Sequence, residues 1–140
     1  MSPEIKSIVD GYVTLWRKLG YEQPLYPINL KPQNDYTPHI EFIDGKYKWY
    51  VTEYGACRDY RETSDAEQAL EWFAVEVVCH IVNRVELLHI NGEEAHRNWF
   101  KRTVDMLTTL NEQWGINRMI EMNKCMEVYK NSRHKKRPKL

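Results

Sequence analysis

The sequence predicts an α+β fold: an N-terminal helix, a three-stranded antiparallel meander, then three helices packed on the sheet. Three observations predict it. Apolar residues recur at helical spacing from Ile5 to Leu19. The period then drops to two between Pro38 and Thr63, with an Asp44-Gly45 hairpin signal in the middle. From Ala66 the helical period returns and holds, with two breaks, to Tyr129.

Each element has its own signals. Ser2-Pro3-Glu4 opens the first helix with a hydroxyl cap, a proline at the first position and an acid at the positive dipole end. Ile5, Ile8, Val9, Tyr12, Trp16 and Leu19 form its apolar stripe, and Gly20 can take the left-handed conformation that ends it. Residues 21–37 hold three prolines and no steady period, so a long ordered surface loop is expected. "PHIEFI" reads as the first strand and "KYKWYVTEY" as the second. Gly55-Ala56 reads as the next turn and "CRDYRET" as the third strand. In the second strand Tyr47, Trp49 and Val51 share a face suited to a core. Lys48, Tyr50, Thr52 and Tyr54 share the other.

Ser64-Asp65 can cap the central helix, with Glu67 in its first turn. From Ala66 to Leu88 this helix is apolar on most sides, as a covered helix should be. Glu76, His80 and Arg84, four apart, interrupt it along one polar stripe. Asn91-Gly92-Glu93-Glu94 reads as a turn and a new helix start, with Glu94 completing a capping box on Asn91. Ala95, Trp99, Phe100, Val104, Leu107 and Leu110 follow. Asn111-Glu112-Gln113 resembles another cap, after which the last helix carries Trp114, Met119, Ile120, Met126 and Tyr129. Residues 1–130 are expected to form a single domain. Residues 131–140 are expected to be a basic, disordered tail.

The bulk properties narrow the function classes. The chain has 140 residues, enough for one domain with one real core. Its 42% hydrophobic and 29% charged content are ordinary for a globular protein. No apolar run reaches the roughly 20 residues of a membrane span. The start "MSPEIKSIVD" lacks a secretory pattern, so a cytoplasmic location is expected. Cys57, Cys79 and Cys125 are an odd count with wide gaps, which argues against a disulfide framework and for reduced, buried thiols. Formal net charge is zero, but the charges are segregated. The window 35–94 holds thirteen acids and five bases, and the last ten residues hold five bases and no acid. An acidic body repels nucleic acid and attracts basic protein partners.

Candidate chemistry is sparse. "HINGEEAH", residues 89–96, has atom types that zinc uses, but not the His-Glu-x-x-His spacing of a single helix. His89 ends one helix while Glu93, Glu94 and His96 begin another, where each opposes the local dipole, so the stretch reads as an interhelical turn. Cys79 and His80 are neighbours on a helix and point about 100° apart, so they cannot pair as nucleophile and base. There is no phosphate loop, dinucleotide fingerprint or nucleophile elbow. No catalytic residue, metal site or cofactor is assigned, and an enzyme is not expected. The second sheet face is the better candidate. Tyr50, Tyr54 and Tyr60 stand among Glu53, Arg58, Asp59, Arg61 and Glu62, and tyrosine and arginine are enriched at binding hot spots.

The ordered stretches "PHIEFIDGKYKWYVTEYG", "RETSDAEQALEWF", "RVELLHINGEEAHR" and "LNEQW" together resemble the immunity protein 63 family of bacterial polymorphic toxin systems. The matching positions are Pro38, His39, Ile40, Tyr50, Gly55, Arg61, Thr63, Asp65, Trp72, Arg84, Glu86, His89, Gly92 and Arg97. The likeness spans about residues 38–130. Tyr54 stands where the family often has arginine, and Val85 where it often has an aromatic residue. The resemblance implies a small cytosolic protein that binds and neutralises one cognate toxin effector domain, with no catalytic residues. For that contact the expected residues are Tyr50, Glu53, Tyr54, Asp59, Tyr60, Glu62, Asp65 and Glu67. The runner-up is a nucleic-acid-binding accessory protein using the basic tail with Arg97, Lys101 and Arg102.

Overall fold

A computed structural model of the chain describes residues 1–86 and 92–135. The elements are α1 (Pro3–Lys18), β1 (Asp35–Ile43), β2 (Lys46–Glu53), β3 (Ala56–Thr63), α2 (Ala66–Glu86), α3 (Gly92–Leu110) and α4 (Glu112–Lys135). This is the α+β order expected from the sequence. The chain forms two compact units, Met1–Val77 and Val78–Leu140. α2 contributes residues 66–77 to the first and 78–86 to the second.

In the first unit, α1 begins as its sequence requires: Ser2 Oγ accepts the Ile5 N–H at 3.2 Å, and Pro3 sits in the first turn. It ends in a Schellman motif. The Gly20 N–H bonds the Arg17 carbonyl, the Tyr21 N–H bonds the Trp16 carbonyl, and Gly20 has φ +95°. The Trp16 and Tyr21 rings meet edge-on at 5.2 Å and seal that end. The loop that follows is tied down at separate points. The Tyr12 hydroxyl donates to the Tyr26 carbonyl at 2.8 Å. The Ile40 N–H donates to the Asn29 carbonyl at 3.1 Å, and the Gly55 N–H to Asn34 Oδ1 at 3.0 Å.

The sheet has order β1-β2-β3, antiparallel throughout. Ile40, Trp49 and Arg61 are cross-strand neighbours on one face; His39, Tyr50 and Tyr60 are neighbours on the other. Tyr47, Trp49 and Val51 are buried, as their alternation predicts. They join Ile40, the Ile5, Ile8, Tyr12, Leu15 and Trp16 stripe of α1, and Ala69, Phe73, Ala74 and Val77 of α2 in the buried core. Trp49 and Tyr12 both meet the Phe73 ring edge-on, at 6.4 and 5.9 Å. A Cβ on Gly11 would lie 2.8 Å from Leu70 Cδ2, so the glycine permits close helix approach.

Two boundaries differ from expectation. β1 begins at Asp35, three residues before the expected Pro38, across an irregularity between Asp35 and Pro38. β2 stops at Glu53, and the second hairpin turns on Tyr54-Gly55 rather than Gly55-Ala56. Both turns have positive φ at both central residues: 54° and 74° at Asp44-Gly45, 51° and 77° at Tyr54-Gly55. A two-residue hairpin turn of this kind matches strand twist, and that geometry places a tyrosine where composition argues against one.

In the second unit, Val78, Ile81 and Val82 of α2, Thr103, Val104, Leu107 and Leu110 of α3, and Trp114 and Met122 of α4 are buried. Asn111 caps α4, its Oδ1 accepting the Gln113 and Trp114 N–H groups at 2.9 and 3.3 Å. A Cβ on Gly115 would collide with Thr108, so α3 and α4 lie in close contact there. Met119, Ile120 and Met126 are exposed, because α4 carries apolar residues around its circumference and buries one side. α4 runs on through residues 131–135. Of "HINGEEAH", residues 89–91 lie outside the described residues, as do Leu87 and Leu88 of the expected central helix; Gly92 opens α3.

Candidate partner-binding surface

β2 is the middle strand, so every second side chain from Lys48 faces away from the core. Its neighbours build two rows across the sheet. One is aromatic: His39 stacks on Tyr50 at 4.9 Å with the rings 9° apart, and Tyr50 meets Tyr60 at 4.9 Å, tilted 50°. The other is charged: Glu41, Lys48 and Glu62 are register partners, and Lys46 Nζ reaches Glu62 Oε1 at 3.3 Å. The Tyr60 hydroxyl ties the rows together by donating to Glu62 Oε2 at 2.6 Å. That bond holds the Tyr60 hydroxyl up at about 12 and, with Lys46, holds the Glu62 carboxyl below its usual range. Glu62 is therefore an oriented anion on a ring platform.

His39 is the buried member of the aromatic row. It is 3% exposed, and Nδ1 has no hydrogen-bond partner among the described residues. Burial holds its imidazole below the usual histidine range, with Glu41 pulling weakly the other way. Burial also raises the Tyr50 phenol, followed by the nearby Glu41.

The eight residues expected at the contact fall into four places. Tyr50, Tyr60 and Glu62 come together on the outer face. Glu53 and Tyr54 sit at the far end of the β2–β3 hairpin, with Tyr54 89% exposed. Asp65 and Glu67 stand at the start of α2, where Asp65 Oδ1 accepts the Glu67 N–H at 3.0 Å and Thr63 Oγ1 accepts the Asp65 N–H at 3.0 Å. Asp59 turns to the opposite face, half-buried, and pairs with Arg61 at 3.2 Å. The Arg61 guanidinium in turn lies 4.9 Å from the Trp49 ring centre and 5.9 Å from that of Trp72. Strand alternation alone separates Asp59 and Arg61 from Tyr60 and Glu62.

His39 and Glu41 on the outer face, and Tyr36 at the opposite end of β1 from the first hairpin turn, are absent from the contact residues expected from sequence. For His39 and Glu41 the signal was available, since they alternate with the core residue Ile40. Tyr36 carried none; it has φ 69° in the irregular stretch between Asp35 and Pro38.

In the second unit, Arg97, Lys101 and Arg102 are exposed on α3. Arg102 borders an open groove with Ile81, Val82, Asp105, Met106 and Thr109. Among the described residues no three His, Cys, Asp or Glu side chains gather as a metal site, and no helix is long and apolar enough to cross a membrane. Cys57, Cys79 and Cys125 are free thiols, but they are not buried as expected: Cys57, next to the second hairpin turn, and Cys125, on α4, are exposed, and Cys79 is half-buried.

No curated protein and no solved structure matches this chain. A family model described as immunity protein 63 matches residues 44–124, from the first hairpin turn through β2, β3, α2 and α3 into α4. That match covers more than half of the chain and includes the central and third strands of the ring platform, so the protein belongs to the immunity protein 63 family.

Proposed function

We propose that this protein neutralises a cognate toxin effector domain by binding it stoichiometrically through the outer sheet face and the hairpin end beside it. Family membership supports the general role of an immunity protein. The observation that carries the surface is the oriented row His39–Tyr50–Tyr60 with Glu62 held by Tyr60 and Lys46. Rings already packed against each other lose little rotamer freedom on binding, which is how a contact surface gains affinity without added area. The acidic excess of residues 35–94 fits a basic partner, as a toxin that cleaves nucleic acid must be around its substrate groove. The protein acts in the cytoplasm in this proposal, and no catalytic group takes part.

The test uses the toxin encoded beside the gene. Titrating its activity should reach zero at one equivalent of this protein; full inhibition at a small fraction of an equivalent would indicate catalysis and overturn the proposal. Charge reversal then maps the face. Glu62→Lys should weaken the complex about tenfold or more, as loss of an oriented charge at a contact does. Asp59→Lys should weaken it less, because Asp59 stands on the other face. Wild-type affinity in the Glu62→Lys protein would remove the outer face from the interface.

A further inference from the structure

The two edges of the sheet differ. The outer side of β1 is closed. Pro38 has no N–H to offer, the Ile40 N–H donates to the Asn29 carbonyl, and Asn29 pairs with His39 in an isolated parallel bridge. Asn29 Nδ2 also donates to the Thr37 hydroxyl at 3.1 Å. β3 forms the other edge. Among the described residues, its backbone bonds to no backbone but that of β2. Six of its eight residues are exposed, and it contains neither proline nor lysine. From Asp59 to Thr63 it pairs with β2 without a break; Arg58 is the extra residue at the irregularity beside Thr52.

Charges on an open strand edge ordinarily deter a second strand. β3 carries Arg58, Asp59, Arg61 and Glu62 on either side of Tyr60, and their order is self-complementary. When two copies of this strand run antiparallel about a two-fold axis at Tyr60, Asp59 of each copy faces Arg61 of the other. Arg58 of each then faces Glu62. A register centred on Asp59 would oppose two aspartates, and one centred on Arg61 two arginines. Like charges directly opposite destabilise a sheet, so the same side chains reject those registers and accept the one at Tyr60. The Asp59–Arg61 ion pair within each chain, at 3.2 Å, becomes part of an alternating ring of charges. Tyr60 ends the aromatic row: it meets Tyr50 at 4.9 Å and remains 44% exposed. The two-fold axis brings a second Tyr60 against it, and aromatic cross-strand pairs stabilise a sheet.

We infer that the β3 edge binds a second copy of this chain: two copies pair antiparallel through Arg58–Glu62, joining two three-stranded sheets into one. Such a contact is isologous, as a two-fold dimer requires. The row His39–Tyr50–Tyr60 of one copy continues into that of the other, so the outer face is doubled and stays open while the edge is covered. Dimerisation requires no toxin and is tested on the chain alone.

Sedimentation equilibrium of the full chain between about 1 μM and about 1 mM reads the association. The expected result is a doubling of mass with concentration, weakened by salt, with slower amide exchange at residues 59–63 in the dimer. Arg58→Glu and Glu62→Arg each bring like charges together twice per dimer. Each should weaken self-association by about tenfold. An equimolar mixture of the two variants restores both pairings and should dimerise as wild type does, a recovery that misfolded variants could not show. Asp59→Lys, which opposes Arg61 of the other copy, should weaken the dimer independently. A wild-type chain that stays monomeric throughout the range overturns the inference. Protection of residues 59–63 that appears only when toxin is added does so too, and assigns the edge to the toxin. A dimer indifferent to Arg58→Glu and Asp59→Lys, or folded variants that do not recover on mixing, would overturn the β3 interface.

Discussion

Burial of His39 and of Tyr12 makes the stability of the first unit depend on pH in opposite directions. His39 is buried and its imidazole sits below the ordinary value of 6.5, so the folded state keeps it neutral. The unfolded chain takes up the proton first; stability from this group is present above pH 6.5 and is lost as pH falls below it. Tyr12 is 2% exposed, and burial raises its phenol from 10.0 to about 12, partly offset by Trp16. Its contribution is present below pH 10 and is lost as pH rises towards about 12. Urea midpoints measured across pH should fall on both sides. His39→Gln should flatten the acid limb and Tyr12→Phe the alkaline limb. Limbs that keep their slopes in these variants would assign the titrations elsewhere.

At the scale of elements, capping residues and contact residues compete for the same side chains. Asp65 has a charge that a basic partner could meet, yet its Oδ1 closes the first turn of α2 and its N–H is held by Thr63. Replacing such a cap by alanine costs about 1 kcal/mol, whereas asparagine keeps the acceptor. Asp65→Ala should therefore lower the unfolding free energy by about that amount while Asp65→Asn stays near wild type. Any loss of toxin affinity in the asparagine variant then reports charge and not helix fraying. Equal stability of the alanine variant and wild type, read from denaturant midpoints, would show that the cap contributes nothing. Ser2 and Asn111 do the same work at α1 and α4, and all three caps stood in the sequence as a polar residue before an apolar period.

At the scale of the whole molecule, charge is organised more strongly than its zero net value indicates. The acidic window 35–94 holds every residue expected at the contact, and the bases of the last ten residues are distant in sequence. Surface charges of this kind act over roughly 8 Å at physiological salt and speed encounter more than they tighten the bound state. The association rate with the toxin should fall by about tenfold or more between 50 and 500 mM salt, with a smaller change in dissociation. A rate independent of salt would show that the acidic window does not steer the encounter.

The order of elements was legible in the chain because each depends on neighbours in sequence: a period of 3.6 or two, a cap, a glycine or an Asp-Gly turn. The core face of β2 was equally legible, since alternation alone assigns Tyr47, Trp49 and Val51 to one side. Family membership followed from the order of short motifs along the chain. Tertiary structure decided what depends on residues distant in sequence. It placed His39 against Tyr50 and Tyr60, which come from three different strands. It sent Asp59 to Arg61 on the other face and moved the second turn onto Tyr54-Gly55. It also brought Asp35 opposite Glu53, 18 positions further along the chain, because strand register and not composition determines which charges meet.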